Sequence, residues 1–181
     1  MIYHSVAEIF EDIDRARGRL LQAVEHLGEG RETFRPATER WSVAEVIEHL
    51  SAVERRMLGL LNALLQKAEA AAPPHAADAP FAPVTIAEFV EQSRKEKYTA
   101  PENIRPGGAP LADSLAALRD SRAALHALRP RVEQVDGANT HFPHPAWGPL
   151  NLYQWLAFVG AHESRHLAQI EALKETMDAE R

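Results

Sequence analysis

Between Leu152 and Met177 the apolar residues Leu152, Trp155, Leu156, Val159, Leu167, Ile170, Leu173 and Met177 fall on a single helical arc. A helix of that length cannot bury such an arc alone, so the pattern predicts packing against other helices. Three more segments repeat the periodicity. The first runs from about Ser5 to Leu27, with Val6, Ile9, Phe10, Ile13, Leu20 and Val24 in register, and Gly28 and Gly30 stop it. The second starts at Ser42, whose partner three residues on is Glu45, a capping box. It continues through Val46, Leu50, Val53, Met57, Leu61 and Leu65 to Ala72-Pro73-Pro74. A third covers about Leu111 to Val135, with Pro130 expected to bend or interrupt it. The fourth is expected to begin at Gly148-Pro149, since proline suits a first helical turn, and to reach Met177.

Four long helices predict an all-α four-helix bundle, a single domain over residues 1–181. A short connection joins the first two helices, whereas roughly 40 residues separate the second from the third, enough for a long crossover connection along the bundle. That stretch reads as a Pro/Ala-rich connector, a short helix near Ile86 to Lys97, and a loop from Pro101 to Pro110. Sparse β-branched residues and an aromatic content of only 7% agree with helices over sheets.

Charge and composition exclude several functions. A formal net charge of −6, with basic residues scattered, argues against nucleic acid as a partner. The chain has no cysteine, which rules out disulfides, thiolate metal sites and a cysteine nucleophile. Its N-terminal stretch sets acids among the apolar residues and does not read as a signal peptide. No apolar run approaches the roughly 20 residues a membrane helix needs, so a soluble cytoplasmic protein without a membrane partner is expected.

Within the fourth segment stands His162-Glu163-Ser164-Arg165-His166, literally H-E-x-x-H. Histidines four apart lie one above the other on a helix, where one metal ion reaches both. His166 falls well within the apolar arc, His162 at its edge and Glu163 close to its centre, while Ser164 and Arg165 are expected to point away. Polar side chains facing a core are costly unless something satisfies them. A lone core histidine more often bonds a carboxylate than a metal. Here, however, His49 on the flank of the second helix, beside Val46 and Val53, supplies a natural third nitrogen from a facing helix.

The pairing of Trp41-Ser-x-x-Glu45-x-x-x-His49-Leu50 with His162-x-x-x-His166-x-x-Gln169-Ile170 resembles the DinB superfamily, in particular its DinB-like metal-binding branch. The lead-in His144-Pro145-x-x-Gly148-Pro149-Leu150 suits that branch too, and the resemblance spans about Ser5 to Met177. It implies that His49, His162 and His166 bind a divalent metal ion, nickel or zinc first, then iron or manganese. It also implies a small-molecule substrate, in some relatives a low-molecular-weight thiol such as mycothiol or bacillithiol, and pairing of helices into a homodimer. The family's name refers to induction by DNA damage, which concerns expression and not chemistry.

Three neutral imidazoles leave a bound ion its full double charge and an open position, which suits metal-dependent transfer or hydrolysis. Glu163 is the candidate catalytic residue, either holding an imidazole N–H or taking a proton from the nucleophile. Glu48 and Glu45 are weaker candidates for that role. The peptidase reading of H-E-x-x-H is disfavoured, because no glycine follows His166 at the required place and no strand is evident to hold a peptide. The rival reading is a non-catalytic bundle for dimerisation or small-molecule binding. Trp41 and Trp147 precede the second and fourth helices and could line a mouth, although stapling is their commoner job. His141 and His144, in the loop before the fourth helix, could meet an anionic substrate. His4, His26, His75 and His126 have no partners at metal-ligand spacing.

Overall fold

Ser42 and Glu45 make reciprocal capping bonds: the Ser42 amide donates to Glu45 Oε2 at 2.9 Å and the Glu45 amide to Ser42 Oγ at 3.3 Å. The helices of this computed structural model are α1 (Val6–Glu25), α2 (Val43–Ala71), the short α3 (Ala87–Lys95), α4 (Leu111–Val132) and α5 (Leu152–Ala179). The structure describes residues 1–25, 27, 30–71, 81–95 and 100–179. His26, Gly28, His75, residues 72–80 of the Pro/Ala connector and the 96–97 end of the expected short helix lie outside the described residues. Past α1, Gly30 takes φ +79°, a left-handed value open to glycine at little cost. Pro130 lies inside the last turns of α4, which ends three residues before Val135.

The start of the last helix differs from the expectation. Gly148-Pro149 does not open a helix: Gly148–Asn151 is a strand, β4, paired antiparallel with β3 (His141–His144). Pro143 and Pro149 lie opposite each other, so the two missing N–H groups fall on one rung. The helix begins at a second capping box: the Gln154 amide donates to Asn151 Oδ1 at 2.8 Å and the Asn151 amide to Gln154 Oε1 at 3.0 Å. A second ladder pairs β1 (Ile2–Tyr3) with β2 (Val84–Thr85). The class remains all-helical, with these two small ladders added.

In the bundle α5 packs on α1 and α2, and α2 packs on α4. Helices α1 and α5 run in the same direction, with Ile13 against Gly160 and the Ala23 carbonyl accepting from Lys174. A Cβ on Gly160 would stand 3.2 Å from Ile13 Cα, so glycine is what lets the two backbones approach. Helices α2 and α4 also run in the same direction, with Glu48 beside Gly107 and Ala109 just ahead of α4 and Glu69 beside Arg131 near its end.

The apolar core is divided. Phe10, Ile13, Leu61, Leu65, Leu125 and Leu156 belong to one cluster; Leu20, Ile47, Leu50, Leu118, Leu167 and Ile170 belong to the other. Each fully buried side chain of this size contributes about 1.5–3 kcal/mol. Between the clusters runs a buried polar belt of Arg17, His49, Glu54, Arg122, Glu163 and His166. No described helix is long and apolar enough to cross a membrane.

Candidate metal centre

His49 from α2 and His162 and His166 from α5 meet inside that belt. One ring nitrogen of each lies within 4.8 Å of the other two. Ring centroids are 5.4 Å apart for His49–His162, 5.0 Å for His49–His166 and 4.6 Å for His162–His166. His49 and His166 are buried and His162 is half-buried. Burial lowers the proton affinity of all three, and the neighbouring imidazoles add to this at His162 and His166. His166 is pushed down to about 4, and His162 well below its ordinary value. All three rings are therefore neutral at pH 7, the state in which imidazole binds metal.

Hydrogen bonds select which nitrogen His49 and His166 offer. His49 Nδ1 lies 2.8 Å from the carbonyl oxygen of Ile104, which can only accept, so Nδ1 carries the proton and Nε2 keeps its lone pair. His166 Nδ1 lies 3.0 Å from Gln169 Oε1 with the same consequence. Such outer partners orient metal-binding imidazoles and raise their basicity. The donor set and its tautomers therefore fit a divalent transition ion. Among the described residues no other His, Asp or Glu joins this group.

The Ile104 carbonyl is itself held in place. Glu48, the neighbour of His49, accepts the amides of Gly107 at 2.7 Å, Gly108 at 3.0 Å and Ala109 at 3.1 Å. Arg56 donates to the Asn103 carbonyl at 2.9 Å. One face of α2 thus clamps the loop that orients its own histidine. Glu48 serves the centre by this backbone route, whereas Glu45 is occupied with the cap and with Arg35. Trp41 packs its ring 4.9 Å from that of His49.

Glu163 is placed differently from the expectation. Its oxygens accept from Arg17 and from Arg122, the latter at 3.1 Å to each oxygen, and its bonds go to no imidazole. Arg17 also pairs with Glu54 and donates to the Leu118 carbonyl at 2.6 Å, and Arg122 Nε stands 3.6 Å from Glu54 Oε1. Burial raises the Glu163 carboxyl above the ordinary glutamate range and the two guanidinium groups oppose that rise. The physical reason is angular: Glu163 is turned about 100° from His162 around the helix, away from the imidazoles and toward α1 and α4. The imidazole N–H groups it was expected to hold go to Ile104 and Gln169 instead.

The sequence carries a signal for this four-residue ion cluster in charged residues set on apolar stripes. Arg17 sits on the apolar stripe between Ile13 and Leu20, Glu54 between Leu50 and Met57, and Arg122 between Leu118 and Leu125. Arg165 also departs from expectation, since it is half-buried and its charge lowers the proton affinity of all three imidazoles. Of the other histidines, His126 Nε2 lies 3.0 Å from Asp14 Oδ1, His4 and His141 are exposed, and His144 is half-buried among aromatic rings.

The chain is thus a four-helix bundle in which three histidines from two helices are placed so that they could hold one metal ion. The sequence profile of the DinB superfamily matches residues 12–170, and the chain belongs to that superfamily. It is 28% identical over 152 residues to YuaE of Bacillus subtilis (strain 168), an uncharacterized protein, covering 80% of this chain and 83% of the relative. Among solved structures, YfiT from Bacillus subtilis, described as a probable metal-dependent hydrolase with an unusual four-helix bundle topology, superposes with a TM-score of 0.61. That match has 18% identity and covers 95% of this chain and 87% of the other. TT2238, a four-helix bundle protein, gives a TM-score of 0.59 at 21% identity, covering 91% of this chain and 96% of that one. At these identities the structural likeness shows the fold.

Proposed function

We propose that this protein is a divalent-metal-dependent hydrolase or transferase acting on a small molecule, with His49, His162 and His166 as the metal ligands. The observation that carries this reading is the convergence of three neutral imidazoles, two of them with Nδ1 committed to Ile104 and Gln169. An ion bound there would have only neutral protein ligands and would acidify a water or thiol nucleophile near neutral pH. Nickel and zinc both suit these nitrogen donors. The description of YfiT supports hydrolysis, and the family resemblance supports a low-molecular-weight thiol as co-substrate. The rings of Trp41 and Phe158 pack against those of His49 and His162.

The decisive experiment is elemental analysis of untagged protein beside His49→Ala and His166→Ala. About one equivalent of a transition metal in the wild type, lost in both variants while helicity survives, is the expected result. Absence of bound metal after incubation with zinc and nickel would overturn the proposal. Hydrolysis and thiol-transfer assays on the loaded protein then separate the two reactions.

A further inference from the structure

The hairpin β3–β4 lays His144 against α5 one turn ahead of His162. Its ring stacks on Trp147, with centroids 4.0 Å apart and planes 10° from parallel, and meets the edge of Phe158 at 5.2 Å. Phe158 in turn contacts His162 at 5.6 Å. His144 and His162 are also near enough for charge on one to be felt at the other.

The backbone decides the tautomer of His144. The Ala146 amide donates to its Nδ1 at 3.2 Å, so that nitrogen is the acceptor and Nε2 carries the hydrogen. No described residue accepts from Nε2–H, and the rings packed around it belong to Trp147, Trp155 and Phe158. His144 Nε2 is not among the buried, unpartnered polar atoms of the described residues, so this N–H faces open space where a ligand oxygen can meet it. Burial keeps the ring neutral, pushing it down to about 4. His141, on the same hairpin, is exposed and shows none of this packing.

We propose that His144 is a substrate-binding residue of the metal centre, its Nε2–H donating to a carbonyl-type oxygen on a substrate whose apolar body lies against Phe158. The inference rests on the metal-centre reading above. It replaces the expectation of anion binding by a loop histidine, since a neutral donor selects an acceptor oxygen and not a charge. The aromatic surroundings select an apolar or conjugated acyl compound.

The test uses cobalt-loaded protein and benzohydroxamate, a probe that joins a carbonyl oxygen to an aromatic ring and is followed by cobalt absorption. His144→Phe keeps the ring packing and removes the N–H. It should weaken benzohydroxamate about 10-fold and leave cobalt affinity unchanged. His144→Gln, which retains an N–H donor, should recover most of that loss. In the wild type the His144 Nε2–H resonance should move downfield when the probe is added, a readout that needs no variant. Unchanged probe affinity in His144→Phe, or an equal loss of cobalt affinity, would overturn the proposal. Failure of the wild type to hold cobalt in a His166-dependent way would instead sink the metal-centre reading, and this inference with it.

Discussion

Two buried polar groups of opposite character share one turn of α5. On one face, Glu163 joins Arg17, Arg122 and Glu54, two positive and two negative side chains with each charge within 3.6 Å of an opposite one. On the next face, His162 and His166 join His49, three neutral groups of one kind whose ring nitrogens crowd together. The first set is largely paired within the chain, with Glu54 Oε1 and Arg122 Nε left 3.6 Å apart and without a hydrogen bond. The second is supplied only with what orients it, namely Ile104, Gln169 and the Glu48 clamp. Opposite charges paired within the chain suit a structural role for the ion cluster, and the proposed metal binding rests on the absence of such pairing among the imidazoles.

The largest effect should come from breaking the ion cluster. Arg17→Met leaves the Glu54 and Glu163 carboxylates buried with one guanidinium between them, and should cost roughly 3–5 kcal/mol in urea unfolding. A loss below about 1 kcal/mol would erase the contrast between the two faces. His166→Ala should do the converse. Metal affinity, read by chelator competition, should fall by more than the about 10–100-fold typical of outer-shell changes, while the metal-free protein loses far less stability than Arg17→Met.

The supports of the triad come next. Gln169→Leu and Glu48→Ala should each weaken metal binding by about 10–100-fold with helicity intact. If Glu48→Ala leaves the affinity unchanged, the loop clamp does not orient His49. The smallest effect concerns pH. His144 and His166 are held near 4 in the fold against an ordinary value near 6.5, so between those values the unfolded chain binds more protons. Their contribution to stability is present above about pH 6.5 and is lost as pH falls toward 4. Melting temperatures of metal-free protein should therefore drop from pH 7 to pH 5, less steeply in His144→Phe. A flat profile would show that these rings are not buried as neutral groups.

Much of this arrangement is legible in one dimension because helices obey a local period. The apolar stripes, the Ser42–Glu45 cap and the i, i+4 spacing of His162 and His166 all follow from 3.6 residues per turn. The start of α5 was misplaced for a local reason as well: Asn151-x-x-Gln154 is a capping signal, yet Pro149 drew the boundary forward. The ion cluster escaped because a charged residue on an apolar stripe reads as an interruption until its opposite charge on another helix is known.

Local sequence is enough for the helices, the apolar faces that pack them and the pairing of His162 with His166, since each depends on residues a few positions apart. The folded chain was needed to show that Glu163 belongs to Arg17 and Arg122, that the Ile104 carbonyl sets the His49 tautomer, and that a hairpin brings His144 against Phe158. Those pairings join residues up to 146 positions apart. They depend on the rotation of each helix about its axis and on backbone carbonyls, which no side-chain pattern encodes.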